Sequence, residues 1–161
     1  KVESNPMQPR AFEDFQVGQR IRLADYSLTE TEMIDFALKY DPQPMHTDPD
    51  AAIDSPFGGL IASGWLTTAV FMRMQYDTLI ADSLCVASPG VDEIRWLRPV
   101  RPGDTLSGEC RVTEVRPSRS KPDRGAVWLR ASIQNQDGEE VMTLVTRAIF
   151  LRRQPAESSS R

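Results

Sequence analysis

A short stretch between Tyr40 and Pro49 brings together two side chains that are suited to proton transfer. It holds His46, the only histidine of the chain, and a carboxylate, Asp41, five positions earlier. Imidazole titrates near neutral pH, and a poorly solvated carboxylate can have its pKa raised towards the same range. The pattern indicates a base and acid pair, although a histidine beside a proline-rich turn is also compatible with a purely structural role.

The prolines of this stretch predict its local structure. Asp41 and Gln43 each precede a proline, and a proline drives the residue before it out of the helical region. We therefore expect an extended, stiff loop, with the apolar Met45 turning it inwards. Pro42 should end the preceding helix and leave Asp41 at its C-terminus, where the helix dipole disfavours negative charge and should raise the pKa of Asp41 modestly.

The composition narrows the class of protein. The chain has 161 residues and a net charge of −4, which is long enough for one domain and does not favour nucleic acid or a membrane surface as partner. No apolar run approaches the ~20 residues that span a bilayer. Cys85 and Cys110 lack metal-ligand spacing and are predicted to be reduced thiols, so we expect a cytoplasmic protein without a metal site.

Three helices can be placed from their start signals. Thr29-x-x-Glu32 is typical of a capping box and should begin the helix that Pro42 ends. Asp48 should cap a second, short helix. The pair Ser63-Gly64 should open a long helix that runs to about Asp82. Because apolar residues occur on most faces of this last helix, we expect it to be buried by its surroundings.

The remaining chain is predicted to form strands. Five strands are expected, over 19–28, 91–97, 105–115, 127–133 and 141–151. Apolar residues alternate in 19–28, 105–115 and 127–133, whereas 141–151 is a long and nearly continuous apolar run. The fold class is therefore α+β, with an antiparallel sheet of about five strands round a long central helix in a single domain over 11–151. Residues 1–10 should be a flexible arm and 152–161 a flexible tail. Unprotected sheet edges favour a dimer.

Several motifs between Phe12 and Leu151 resemble those of the MaoC-type dehydratases, which include the (R)-specific enoyl-CoA hydratases. The resemblance implies a hot-dog fold and the reversible hydration of a trans-2-enoyl thioester to the 3-hydroxyacyl thioester. The carrier would be coenzyme A or acyl carrier protein, with no further cofactor, and the protein would be a homodimer or a dimer of dimers. The motifs are Asp41-x-Gln43-Pro44-Met45-His46, Thr47-Asp48-Pro49, Phe57-Gly58-Gly59, Ser63-Gly64 and the turn Pro99–Leu106.

The same resemblance implies roles for individual residues. Asp41 and His46 would hold the catalytic water between them and handle both proton movements. The backbone N–H of Gly64, at the start of the central helix, would stabilise the enolate oxygen. Gln43 stands where the family usually has Asn and is expected to orient His46 or the thioester. Ser63, where many relatives carry His, joins the oxyanion and substrate-binding set.

Other features of the motif region leave the substrate and the reaction open. Trp65 is expected to shorten the acyl pocket. A second interpretation is a hot-dog acyl-CoA thioesterase, with Asp41 as base or nucleophile and less need for His46. A third is a non-catalytic subunit that binds acyl thioesters without turning them over.

Overall fold

The computed structural model of the protein describes residues 8–153. The predicted arm and tail therefore lie largely outside the described residues. Just beyond the predicted bounds of the domain, Arg10 forms a β-bridge to Ser83, and the Arg152 N–H donates to the Asp123 carbonyl. Main-chain pairing thus extends slightly further in both directions than the sequence predicts.

The described chain forms one antiparallel sheet of six strands. The strands are β1 (Arg20–Arg22), β2 (Tyr26–Ser27), β3 (Cys85–Trp96), β4 (Thr105–Pro117), β5 (Arg124–Gln134) and β6 (Glu140–Leu151). They lie in the order β1-β4-β5-β6-β3, with β2 pairing with the start of β4. The predicted α+β class is confirmed.

Two differences from the predicted strands have local causes. The strand expected over 19–28 is split in two, because the Ala24 N–H leaves the sheet and donates to Thr78 Oγ1 at 2.7 Å. Strand β3 begins at Cys85 rather than at residue 91. The sequence did not predict the first half of this strand, because Pro89 and Gly90 normally interrupt strands. The structure accommodates both residues at the sheet edge, where the pairing register of β3 is irregular.

The helices are α1 (Glu30–Tyr40), α2 (Pro44–Thr47), α3 (Pro49–Ile53) and α4 (Gly64–Gln75), and a π-helical turn, Tyr76–Ile80, extends the last of them. Thr29 caps α1 by accepting the Glu32 N–H. The Glu32 carboxylate accepts from the Tyr26 hydroxyl instead of completing the capping box. Asp48 caps α3, as predicted, by accepting from two backbone N–H groups.

The loop expected to be extended between Asp41 and His46 is partly helical. Gln43 has the extended backbone, with φ −72° and ψ 139°, and α2 begins at the next residue. Pro44 favours this start, because the first position of a helix requires no N–H donor and suits the fixed φ of proline. His46 is therefore presented from a short, rigid helical turn.

Helix α4 lies against the sheet with one face only. Leu66, Val70 and Met74 belong to the core that it shares with the sheet. On the opposite face, Trp65 is 58% exposed and Met72 is 48% exposed. The prediction that most faces of this helix are buried is wrong for the single chain, because the sheet covers only one side of it.

The shared core predicts a clear contrast between two leucines. Leu129 of β5 is fully buried in the core cluster, whereas Leu38 of α1 is 62% exposed. Leu129→Ala should reduce the free energy of unfolding by about 2–5 kcal/mol, since it removes buried methyl groups and leaves a cavity. Denaturant-induced unfolding measures the loss. Leu38→Ala is the control and should stay within about 0.5 kcal/mol of the parent; equal losses in the two variants would contradict the packing.

Candidate active site

His46 is held in place by the buried segment that leads into α4. The Ile61 N–H donates to the Met45 carbonyl at 3.1 Å, and Nδ1 of His46 lies 2.9 Å from the Ile61 carbonyl. These two contacts tie α2 to the chain immediately before the central helix. The imidazole is only 5% exposed, so its orientation is set by the protein and not by solvent.

The partner of Nδ1 determines which ring nitrogen is free. A carbonyl oxygen can only accept, so Nδ1 of His46 carries the proton in its contact with Ile61. In the neutral ring, Nε2 is then unprotonated and has an available lone pair. Nε2 lies 3.4 Å from Oδ2 of Asp41. The structure thus brings these two side chains close enough for both to contact one water molecule.

Asp41 is held as a carboxylate by two hydrogen bonds. Its Oδ2 accepts from Ser63 Oγ at 2.6 Å, and its Oδ1 accepts from Gln43 Nε2 at 2.7 Å. The Ser63 bond is the largest cause of a lowered pKa of Asp41 and the Gln43 bond is the second, while burial acts against them. The expected rise in this pKa is wrong, because direct hydrogen bonds to the charged form outweigh the helix dipole.

Gln43 and Ser63 therefore contact the carboxylate and not the imidazole. Ser63 is fully buried and also caps α4, since its Oγ accepts the Trp65 N–H at 3.3 Å. Gln43 lies at the surface and reaches Asp41 through its amide nitrogen. Both side chains orient Asp41, a contact that the sequence did not predict for either residue.

An apolar cavity of about 220 Å³ opens beside His46. Gly64, the first residue of α4, also lines it, so the imidazole and the helix N-terminus face the same space. Within residues 8–153, the Gly64 N–H forms no hydrogen bond, which leaves a backbone donor open there. The other walls are mainly apolar and include Phe57, Ile61, Ala62, Leu97, Val100 and Val141.

Trp96, which sequence reasoning did not identify, packs directly onto Gly64. A Cβ at position 64 would lie 2.5 Å from the Cδ2 and Cε2 atoms of the indole, so the glycine permits this close approach. Trp96, and not Trp65, lines the cavity. Trp65 meets Trp96 edge-on, with ring centroids 5.2 Å apart. The sequence signal that could have identified Trp96 is its position as an aromatic residue at the end of a strand, just before a proline-rich turn.

Among residues 8–153, no three or more His, Cys, Asp or Glu side chains cluster in a way that could hold a metal ion. Over the same residues, every helix is too short or too polar to cross a bilayer.

Comparisons with known proteins agree with this fold. The described architecture is that of the hot-dog class, in which an antiparallel sheet lies against one central helix. The sequence profile described as "MaoC like domain" matches residues 14–131. The chain therefore belongs to the MaoC-like dehydratase family, and this membership supports an enzyme of the lyase type.

Individual relatives extend the comparison. The crystal structure of a MaoC-like dehydratase from Rhodospirillum rubrum is 37% identical, covers 90% of this chain and 99% of its own, and has a TM-score of 0.84. The 3-hydroxyacyl-thioester dehydratase Z of Mycobacterium tuberculosis is 32% identical over 61% of this chain and 67% of the relative. The R-hydratase PhaJ1 of Pseudomonas aeruginosa, 23% identical over 96% of both chains with a TM-score of 0.70, shares the fold.

The contacts of Asp41 lead to a prediction about its titration. Ser63→Ala removes the largest cause of the lowered pKa, so the pKa of Asp41 should rise towards the ordinary value of 3.8. A titration of ¹³C-labelled aspartate side chains by NMR measures the change. The lowered pKa stabilises the fold above 3.8, and this contribution is lost as the pH falls through the lowered value.

The variant should therefore lose less of its stability on acidification than the parent does. The matched control is Ser27→Ala, which replaces an exposed serine of β2 and should leave the Asp41 titration unchanged. An Asp41 pKa that stays equally low in Ser63→Ala would show that the hydroxyl contact does not determine it.

Proposed function

We propose that this protein reversibly hydrates trans-2-enoyl thioesters, carried on coenzyme A or on an acyl carrier protein, to (R)-3-hydroxyacyl thioesters. The proposal depends on one observation: Asp41 contacts His46 beside an apolar cavity that the N-terminus of α4 also faces. The 3-hydroxyacyl-thioester dehydratase among the relatives supports the same class of reaction.

In this proposal the catalytic water lies between Asp41 Oδ2 and His46 Nε2, donating one hydrogen bond to each. As its oxygen attacks C3 of the enoyl group, His46 Nε2 takes the proton. An imidazole is intrinsically a better proton acceptor near neutral pH than a carboxylate, and the lowered pKa of Asp41 increases that difference. The resulting imidazolium is stabilised by the Asp41 anion and gives its proton to C2. The product therefore carries the hydroxyl of the water at C3 and one of its hydrogens at C2.

Attack at C3 moves negative charge onto the thioester oxygen, and this charge requires a donor. The open N–H of Gly64 lies at the positive end of the α4 dipole and on the cavity wall. In the proposed complex the thioester oxygen accepts from this N–H, which becomes a stronger hydrogen bond as the enolate forms. The addition involves no change of oxidation state, so the proposal includes no cofactor.

The thioesterase interpretation is less well supported by the contacts of Asp41. Both of its oxygens already accept hydrogen bonds, from Ser63 and Gln43, and a lowered pKa makes a carboxylate a weaker base and nucleophile. These observations favour addition of water at C3 over attack on the thioester carbonyl.

The proposed reaction is tested by incubation with crotonyl-CoA. Hydration removes the enoyl absorbance without releasing thiol, so we expect the absorbance to fall while the free thiol concentration stays constant. Release of thiol would instead support the thioesterase, and an unchanged solution would support the binding subunit.

The two side chains that carry the proposal can be replaced conservatively. Asp41→Asn and His46→Asn should each lower turnover by about 10²–10⁴-fold, the range typical of general acid–base groups. Asparagine at 46 keeps a donor for the Ile61 carbonyl, so the fold should be retained, which circular dichroism checks. Asp35→Asn makes the same chemical change at an exposed position of α1 and should leave turnover unchanged. A parental rate in either site variant would reject the assignment.

We also propose that the protein forms a homodimer, or a dimer of such dimers, through β3. This strand lies at the end of the strand order, and within the described residues no strand pairs with its outer edge. Its residues are mostly exposed, including Val86 and Val91, and the uncovered face of α4 with Met72 is exposed as well. Pairing of two such edges about a two-fold axis would bury these apolar side chains.

Val91→Asp tests this interface. A carboxylate buried without a partner costs several kcal/mol, so the dimer dissociation constant should increase at least about 100-fold. Analytical ultracentrifugation over a concentration series measures it. The control is Val17→Asp, which alters an exposed valine before β1 and should leave the dissociation constant unchanged. A monomeric parent protein, or an unaffected variant, would reject the interface.

A further inference from the structure

We infer that Arg101 is a positioning residue, which holds Phe57 in place as a wall of the catalytic cavity and so strengthens substrate binding. The inference rests on the proposed function, in which the acyl group occupies the cavity beside His46. It concerns how tightly the substrate binds and not the chemistry of hydration.

Phe57 reaches the cavity from a loop between α3 and α4. Its side chain lines the cavity and is 39% exposed, so the protein core does not enclose it. The two residues that follow, Gly58 and Gly59, have φ values of 66° and 156°, which glycine adopts far more readily than other residues. Neither burial nor regular secondary structure fixes this part of the cavity wall.

Arg101 supplies a contact to this loop from a distant part of the chain. Its Nη2 donates to the Phe57 carbonyl. Within residues 8–153, this is the only hydrogen bond that joins residues 57–59 to another element, because the others end on Ser55 of the same loop. The guanidinium also lies against Gly59, where an added Cβ would come 3.3 Å from Nη1.

The main chain of Arg101 is itself fixed by a buried carboxylate. The Arg101 N–H donates to Oδ2 of Asp104 at 2.8 Å, and Oδ1 of Asp104 accepts from Gln136 Nε2 at 2.9 Å. One residue earlier, the Val100 carbonyl accepts the Ala62 N–H at 2.8 Å, and both of these residues line the cavity. Arg101 therefore extends from a well-anchored turn that already forms part of the cavity wall.

The contact between Arg101 and Phe57 has an ionised donor, and such hydrogen bonds are roughly twice as strong as those between neutral groups. Without it, the loop would have more conformations before binding, and ordering it would reduce the affinity for the substrate. Asp41 and His46 are held by other partners, namely Ser63, Gln43 and the Ile61 carbonyl. The loss should therefore affect binding and not turnover.

Arg101→Met removes the donor and keeps most of the length of the side chain. With crotonyl-CoA, the KM of this variant should rise about tenfold, as expected for the loss of a hydrogen bond to a charged group. Its kcat should stay within about twofold of the parent, with the same pH profile, because the reacting groups are untouched. A lower kcat with the parental KM would contradict the inference.

Arg101→Lys tests whether a cationic donor at this position is sufficient. The lysine ammonium is one atom closer to the main chain than Nη2 and can donate to the Phe57 carbonyl. Its KM should therefore lie within about threefold of the parent, since a charge-assisted hydrogen bond is kept. A KM as high as that of Arg101→Met would show that the donor does not hold the loop.

A double-mutant cycle tests whether Arg101 acts through Phe57. Phe57→Ala removes the ring that the contact positions, so Arg101→Met should change KM less than about twofold in this background. If Arg101→Met had the same effect on KM with and without the ring, Arg101 would act independently of Phe57 and the inference would be overturned.

Arg22→Met is the matched control. Arg22 is an exposed arginine of β1 that donates to Asp25 at 2.8 Å and does not line the cavity, so its replacement should leave KM and kcat unchanged. Circular dichroism checks the fold of every variant. If Arg101→Met fails to fold, Arg101→Gln replaces it. The glutamine amide is two atoms shorter and does not reach the Phe57 carbonyl, so the same rise in KM is expected.

Binding without turnover separates failure of this inference from failure of the proposed function. Calorimetric titration with butanoyl-CoA should show an affinity about tenfold weaker for Arg101→Met than for the parent. A parent that hydrates no enoyl-CoA would reject the proposed function, while the affinities would still report on Arg101. An Arg101→Met protein with the parental KM and the parental affinity would overturn the role of Arg101 and leave hydration standing.

Discussion

The hydrogen bond from His46 Nδ1 to the Ile61 carbonyl is the constraint on which the rest of the site depends. It fixes the tautomer, so that the lone pair of Nε2 is free to accept a proton. It also joins α2 to the segment that enters α4, with the Ile61 N–H bonded back to Met45. The imidazole and a helix N-terminus, which come from separate elements, thereby share one cavity. Without this contact the imidazole could rotate, and neither group would be aligned with the other.

The second constraint is the charge of Asp41. Ser63 and Gln43 hold the carboxylate in its ionised form, and Ser63 also caps the helix whose N-terminus faces the cavity. One hydroxyl therefore links the orientation of the carboxylate to the start of α4. This arrangement favours Asp41 as a stabiliser of a protonated imidazole over Asp41 as a proton acceptor, because its pKa is lowered. The proposed division of roles follows from the contacts and not from the residue types.

Local signals in the sequence predicted much of the fold. The caps at Thr29 and Asp48, the helix start at Ser63-Gly64, the alternation of β4 and β5 and the apolar run of β6 are short-range patterns, and the structure confirms them. Residues 85–90 were missed because Pro89 and Gly90 are strand breakers, except at an irregular sheet edge. The fold class could be predicted from the sequence because each helix or strand buries one face, and a buried face produces a periodic pattern of apolar residues.

The candidate site was predictable only in part. His46 and Asp41 stand out by type and spacing, but the partners of Asp41 and the packing of Trp96 on Gly64 depend on contacts between residues far apart in the chain. Ser63 lies 22 positions from Asp41, and no local pattern indicates that they meet. The dipole argument for Asp41 failed for the same reason, because it considered only the helix and not the donors that the fold brings to the carboxylate.

The packing of Trp96 on the α-carbon of Gly64 links the evolution of these two positions. A lineage that gained a methyl group at 64 first would force the indole out of its place and disturb the helix start in the same step. A lineage that first replaced the indole by a smaller side chain would make room for that methyl group. The order of tolerated substitutions is therefore asymmetric: a smaller side chain at 96 leaves position 64 unstrained, whereas a methyl group at 64 does not fit while the indole is in place.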